Sequence, residues 1–240
     1  MKKEFFVSLT FDDGWKSAIT NAAPLLARFG MPATFYIISD CVFGCRDEYM
    51  NVDDLRALTL AGHEIGAHTK SHKYLTELSQ LELWNEIEQG AEDLRALGFD
   101  PCTFAYPFGD WNPHVVKQVR EAGFMAARTI ARGMNTEKTN HLLLRGYGVR
   151  KEHSANDVIS WIVRAMRSDW LILYFHQIEQ AEVLSEHKWI YGTTPAVLEG
   201  VLLYLQREHI PIVTVADGIE RFVKIAVKEK GSSLVPGHAV

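Results

Sequence analysis

The strongest constraint on this chain is a punctuation mark used four times. Amphipathic runs end at Gly30, Gly62, Gly98 and Gly123, and a short apolar, β-rich run follows each one. Glycine adopts the left-handed conformation that closes a helix at little steric cost, so each marks a turn from helix into strand. The hydrophobic period switches accordingly, from 3.6 to nearly continuous apolar. Candidate strands are Phe5–Phe11, Ala33–Ile38, Glu64–Ala67, Thr103–Tyr106, Phe124–Arg128, Leu142–Tyr147, Leu171–Phe175 and Ile212–Val215. Helices are expected near 18–29, 52–61, 80–97, 113–122, 155–167 and 195–208. Ser79 with Glu82 and Ser154 with Asp157 fit capping boxes, and Pro195 after Thr194 fits a first helical position.

A βαβα rhythm without a Pro/Ser-rich linker predicts the α/β class and one barrel domain over residues 1–230, since such barrels commonly need about 250 residues. Residues 231–240 read as a disordered tail outside the fold. A charge balance of 25 Lys+Arg against 30 Asp+Glu, net −5, leaves no basic excess for a nucleic-acid partner. Runs such as Trp170–Phe175 are far short of the ~20 residues a membrane span needs. Met1-Lys2-Lys3 leads directly into the first strand, with no export signal legible, so the chain as written is expected in the cytoplasm. Three cysteines make no disulfide framework; Cys41 and Cys45 either close a small loop or stay reduced. Oligomeric state leaves no legible trace.

In parallel barrels the chemistry gathers at the C-terminal ends of the strands. There the sequence places Asp12-Asp13-Gly14 after the first strand and His68-Thr69-Lys70-Ser71-His72 after the third. Tyr106-Pro107-Phe108-Gly109-Asp110 follows the fourth, and His176 follows the strand ending at Phe175. Two imidazoles and one carboxylate make a three-ligand set with an open position, the pattern of a catalytic rather than a structural metal. A cation so held lowers the pKa of water from about 15.7 to about 7. Adjacent aspartates on a strand end point to different sides, so one can ligate while the other accepts a proton. A histidine across the barrel then supplies the acid, which is the machinery for hydrolysing an amide or an ester. The long polar connection from Ile178 to Thr193, with Trp189 and Tyr191, is of a length more often functional than idle.

Thr10-Phe11-Asp12-Asp13-Gly14, His68-Thr69-x-x-His72 and Phe104-Ala105-Tyr106-Pro107-Phe108-Gly109 resemble the polysaccharide deacetylases of the NodB-homology group, carbohydrate esterase family 4. The resemblance covers roughly residues 4–222 and is closest in motif style to poly-N-acetylglucosamine deacetylase-like members. It implies a distorted (β/α) barrel of seven or eight repeats and one divalent ion on Asp13, His68 and His72. Zn²⁺ is the first choice, with Co²⁺, Ni²⁺ and Mn²⁺ suited to the same set. It further implies Asp12 as general base, His176 as general acid and the Phe108 amide as oxyanion donor. The substrate would be an acetylated glycan, bound with help from Tyr106, Pro107, Phe108, Trp111, Arg145 and Tyr174.

Two departures stand out. Many members carry an arginine two residues before the motif proline, where this chain has Ala105; Arg145 is the candidate to reach Asp12 instead. Tyr174 occupies a place where relatives often have an aliphatic residue lining the acetyl pocket. Trp15, Trp111, Trp189 and Tyr191 lie on loops of the same face, where flat rings can cover sugar faces. The leading expectation is an N-deacetylase. The alternatives are an O-acetyl esterase of the xylan type, hydrolysis of a small amide, or a glycan-binding module that has lost catalysis. Family members commonly work on walls or exported polymers, which would place a trimmed chain at the cell surface or outside.

Overall fold

The computed structural model describes residues 5–44, 46–186 and 191–222. Its strands are β1 (Phe6–Phe11), β2 (Thr34–Ile37), β3 (Glu64–Ala67), β4 (Thr103–Ala105), β5 (Ala126–Arg128), β6 (Tyr147–Gly148) and β7 (Trp170–Phe175), all parallel, in the order β5-β4-β3-β2-β1-β7-β6. One short run closes the curl: Leu144 bridges to Arg128 on β5, and β6, three residues further on, pairs with β7. The result is the expected distorted barrel. All four punctuating glycines have positive φ, from 63° at Gly30 to 93° at Gly98.

Helices cover the outside. A π-helical turn, Ala18–Ala22, runs into α1 (Ala23–Phe29). The others are α2 (Ser39–Phe43), α3 (Val52–Leu60), α4 (Gln80–Trp84), α5 (Gly90–Ala96), α6 (Pro113–Glu121), α7 (Ala155–Ala165), α8 (Ala181–Glu186) and α9 (Pro195–Arg207). A π-helical stretch, Asn85–Gln89, joins α4 to α5 within the expected 80–97 helix. The two capping boxes form as expected, and Pro195 opens α9. Cys41 carries a free thiol; Cys45, Trp189 and the tail 231–240 lie outside the described residues.

Two expected strands are shortened, each for a local reason. Within Leu142–Tyr147, the Asn140 side chain accepts from the Leu142 N–H at 3.0 Å and folds His141–Leu143 into a 3₁₀ turn, a local bond that competes with the ladder. Within Ile212–Val215 a single bridge, Ile212 to Val7, survives. The Thr214 hydroxyl then accepts from the Asp217 N–H at 3.1 Å, and 215–222 is helical.

Strand alternation sorts the chain into two environments. Val7, Leu9 and Phe11 join the large core beneath the helices, where the Phe11 ring stacks on Phe35 and Phe175 at 5.0 and 5.3 Å. Phe6, Ser8, Thr10 and Asp12 have the opposite parity and face the barrel interior. At its lower end Phe6, Trp170, Val213 and Phe222 form a separate apolar plug. Above the plug the interior turns polar, with the partly buried Glu64 carboxylate accepting from Thr34, Thr103 and the Ala216 N–H. Thus β1 delivers Asp12, and β7 delivers His176, to the upper rim.

Gly66 leaves room in this interior: a Cβ there would sit 2.5 Å from the Tyr36 ring. Gly66→Ala should lower stability by about 1–3 kcal/mol through overpacking. A urea midpoint equal to that of the parent would show that Tyr36 yields freely.

Candidate active site

Asp12 is buried at the end of β1, its N–H bonded to the Phe175 carbonyl at 2.9 Å. Its Oδ2 accepts from Arg128 Nη2 at 2.5 Å, and Arg128 is itself fully buried. The expected partner, Arg145, does not reach it. Arg145 is exposed, its backbone tied to the Asn135 side chain and its side chain lying over Gly133. The reason is parity and level: Arg128 is in register with Ala105, so the neighbouring strand supplies the guanidinium at the height where the motif arginine is missing. Tyr174 belongs to the same arrangement. Its ring covers the Arg128 guanidinium at 4.4 Å, and Tyr36 approaches it at 5.6 Å. Burial works against the Arg128 charge, but the Asp12 carboxylate, Tyr36 and Tyr174 together raise the Arg128 pKa. An arginine closing an inward-facing β-run was the legible signal for this residue.

Asp13, one residue on, turns out of the strand with φ 72°. Its Oδ1 lies 3.3 Å from His68 Nε2 and 3.4 Å from His72 Nε2, and the three ligand atoms lie within 4.8 Å of one another. Among the described residues Oδ1 is buried without a hydrogen-bond partner, while Trp15 Nε1–H donates to Oδ2 at 2.9 Å. His68 Nδ1 sits 2.7 Å from the Ala105 carbonyl, which can only accept, so Nε2 presents its lone pair to the site. Burial, then the neighbouring His68 ring, pushes the His72 pKa down to about 4, leaving that ring neutral near pH 7. Burial opposes the Asp13 charge, but the His68, His176 and His72 rings around it hold its carboxyl well below the usual range. Two neutral nitrogens and an unsatisfied carboxylate oxygen, converging on one point, fit a divalent cation.

Four of the five described non-glycine residues with positive φ are at this site: Asp13, Thr69, His72 and Phe108. Such conformations cost on the order of 1–3 kcal/mol each and persist only when their surroundings over-determine them. The His68–His72 loop is held by the Thr69 hydroxyl, which accepts from the His72 N–H at 3.0 Å, and by Glu86. The buried Glu86 carboxylate accepts from the Ser71 N–H at 2.8 Å and its hydroxyl at 2.5 Å, and pairs with Lys73 at 3.3 Å. Gly90 completes the fit, because a Cβ there would meet the Lys70 nitrogen at 2.6 Å. Sequence reasoning missed Glu86. Its signal was one acid on the otherwise apolar stripe of Leu83, Ile87, Ala91 and Leu94.

His176 follows β7, with Nε2 3.8 Å from Asp12 Oδ2, and the Tyr191 ring packs against it at 5.1 Å. Pro107 opens a 3₁₀ turn in which the Gly109 and Asp110 amides bond to the Tyr106 and Pro107 carbonyls, while the Phe108 amide has no backbone acceptor among the described residues. The Phe108 ring stacks on Tyr74 at 4.0 Å and meets the edge of His72 at 4.5 Å. Tyr74, Phe108, Trp111 and Tyr191 are 41–48% exposed, enough ring face to meet a sugar. Tyr106 does not join them: it is buried, and its hydroxyl donates to the Leu142 carbonyl at 3.0 Å. Trp15 is likewise occupied, stacked on Tyr49 at 4.6 Å while it holds Asp13.

A family model described as "Polysaccharide deacetylase" matches residues 2–127. A peptidoglycan-N-acetylglucosamine deacetylase of Bacillus cereus is 33% identical over 122 residues, which are 50% of this chain and 54% of that protein. The peptidoglycan-N-acetylmuramic acid deacetylase PdaC of Bacillus subtilis is 31% identical over 116 residues, 48% of this chain and 24% of that protein. The matches thus span about half of the first relative and a quarter of the second. In fold, the solved structure of PdaC superposes with a TM-score of 0.66 at 17% identity, covering 98% of this chain and all of that one. The Xyl-CE4 domain of a multidomain xylanase from the hindgut metagenome of Trinervitermes trinervoides also gives 0.66, at 20% identity and 91% coverage of both chains.

Arg128→Ala should destabilise the fold by about 3–5 kcal/mol, because it strands a buried carboxylate, whereas Asp12→Ala combined with Arg128→Met should recover most of that loss in the same denaturant titration. Glu86→Ala should weaken divalent-metal affinity 10–100-fold in a chelator competition, the usual size of a supporting-shell effect.

Proposed function

Because the chain belongs to the polysaccharide deacetylase family, we propose that it is a metal-dependent hydrolase that removes acetyl groups from the N-acetylated sugars of a glycan. The observation that carries this reading is the convergence of three groups on one rim. These are the Asp13, His68 and His72 ligand set, the Arg128-held Asp12, and His176 within 3.8 Å of Asp12. A divalent ion, Zn²⁺ first, would be held by Asp13 Oδ1 and the Nε2 atoms of His68 and His72; when bound, it acidifies water and polarises the acetyl carbonyl.

The protein's own groups do the rest. Arg128 fixes Asp12 Oδ2, so Oδ1, buried and without a partner among the described residues, is the oxygen that takes a proton from the attacking water. The Phe108 amide, presented by its positive φ of 57°, donates to the oxyanion. His176 Nε2 delivers a proton to the departing nitrogen. Water and the acetamide become acetate and a free amine. The exposed rings of Phe108, Tyr74 and Trp111 orient the sugar by stacking.

Acetate release from N-acetylglucosamine oligomers should appear only with metal restored to stripped protein, and Asp12→Asn should abolish it. His176→Ala should slow this amide reaction far more than hydrolysis of an aryl acetate, because an alkoxide or phenoxide leaves without a proton more easily than an amide nitrogen. Turnover of the aryl acetate alone would make the protein an O-acetyl esterase. Silence on both substrates with metal bound would make it a glycan-binding module.

A further inference from the structure

Beside the ligand set lies a cavity of about 390 Å³ that the chemistry above leaves unused, walled by Asp13 and His72 on one side and by Trp15, Asp40, Arg46 and Tyr49 on the other. Its far wall is the loop after α2, which is stitched to the Asp12-Asp13-Gly14 turn rather than hanging free. The Lys16 N–H donates to the Glu48 carbonyl at 2.8 Å, the Met50 N–H donates to the Gly14 carbonyl at 2.8 Å, and Trp15 bridges to Tyr49. A continuous chain of contacts results: Asp13 is held by the Trp15 indole, Trp15 stacks on Tyr49, and the Tyr49 ring carries the Arg46 guanidinium at 5.0 Å.

The charges of this cavity do not cancel. Asp40 is 3.2 Å from Lys70 Nζ, and Asp13 is committed to the ligand set. Arg46 has Cys41 Sγ at 3.7 Å and the Tyr49 ring as neighbours, and among the described residues no carboxylate pairs with it. A guanidinium resting on an aromatic face is oriented by it, and its fork of donors matches a carboxylate through two parallel hydrogen bonds. Resting on the deacetylase reading, we propose that Arg46 is a specificity-determining residue that binds a carboxylate of the glycan, so that the preferred substrate is an acetylated glycan with acidic sugars rather than a neutral one.

The test compares three oligomers of equal length: neutral N-acetylglucosamine chains, peptide-free strands whose N-acetylmuramic acid bears a lactyl carboxylate, and chains alternating N-acetylglucosamine with glucuronic acid. For each, kcat/KM for acetate release and binding by calorimetry would be measured on the metal-loaded protein and on Arg46→Gln and Arg46→Lys. The expected result is at least about a tenfold preference for one carboxylate-bearing oligomer, the size of a charge-assisted pair, carried mainly by KM. Which acidic oligomer shows it identifies the source of the carboxylate. Arg46→Gln should bring the acidic-to-neutral ratio close to one, and Arg46→Lys should restore part of it. A ratio near one in the parent, or a ratio unmoved by Arg46→Gln, would overturn the proposal. If no oligomer releases acetate but binding keeps the Arg46-dependent preference, the deacetylase reading falls and the carboxylate subsite stands.

Discussion

The buried pair between Asp12 and Arg128 is the constraint around which the upper half of the barrel is built. Taking either charge out of water alone costs several kcal/mol, so neither residue can occupy the interior without the other. The surroundings answer both charges. Two tyrosine rings sheathe the guanidinium, and β1 and β5 bring the partners together from 116 positions apart in the sequence. Gly66 and Gly148 keep those rings in place, since side chains there would collide with Tyr36 and Tyr174. The barrel therefore holds the Asp12 carboxylate fixed through one oxygen and leaves the other buried, without a hydrogen-bond partner among the described residues.

Around that fixed carboxylate, the Asp13, His68 and His72 cluster depends on strain that other residues hold in place. Asp13, Thr69, His72 and Phe108 all adopt left-handed backbone, which turns two ligands and one amide inward from three different loops. The π-helical stretch between α4 and α5 is part of the same arrangement. Its extra residue per turn brings Glu86 and Gly90 against the histidine loop, so an irregularity in an outer helix fixes the position of an inner ligand. Trp15 connects the ligand set to the opposite wall, where Tyr49 and Arg46 extend it into the neighbouring cavity.

Much of this was legible along the chain because its signals are local. Helix-ending glycines, capping boxes and alternating apolar runs each depend on a few consecutive residues, and they located most elements to within a residue or two, though not the short helices α2 and α8. The expected ends failed where a side chain competed with the ladder, at Asn140 and Thr214. The short motifs also placed Asp12, Asp13, His68, His72 and His176 on one rim, because parallel strands all end there. Tyr106 was misplaced for a simple reason: it shares a motif with Phe108, but the chain turns between them, and one ring points into the core while the other meets solvent.

Sequence alone thus determined the fold class, the polarity of the barrel and which strand ends carry acids and imidazoles, since hydrophobic period and turn chemistry are properties of neighbouring residues. Only the tertiary structure decided that Arg128 rather than Arg145 faces Asp12, that Glu86 braces the histidine loop, and that no carboxylate among the described residues pairs with Arg46 beside the Asp13, His68 and His72 cluster. Those three depend on strand register, on a π-helical offset and on the packing of one ring against another. Each is a relation between segments distant in the chain, and the amino-acid order fixes them only once the whole barrel has closed.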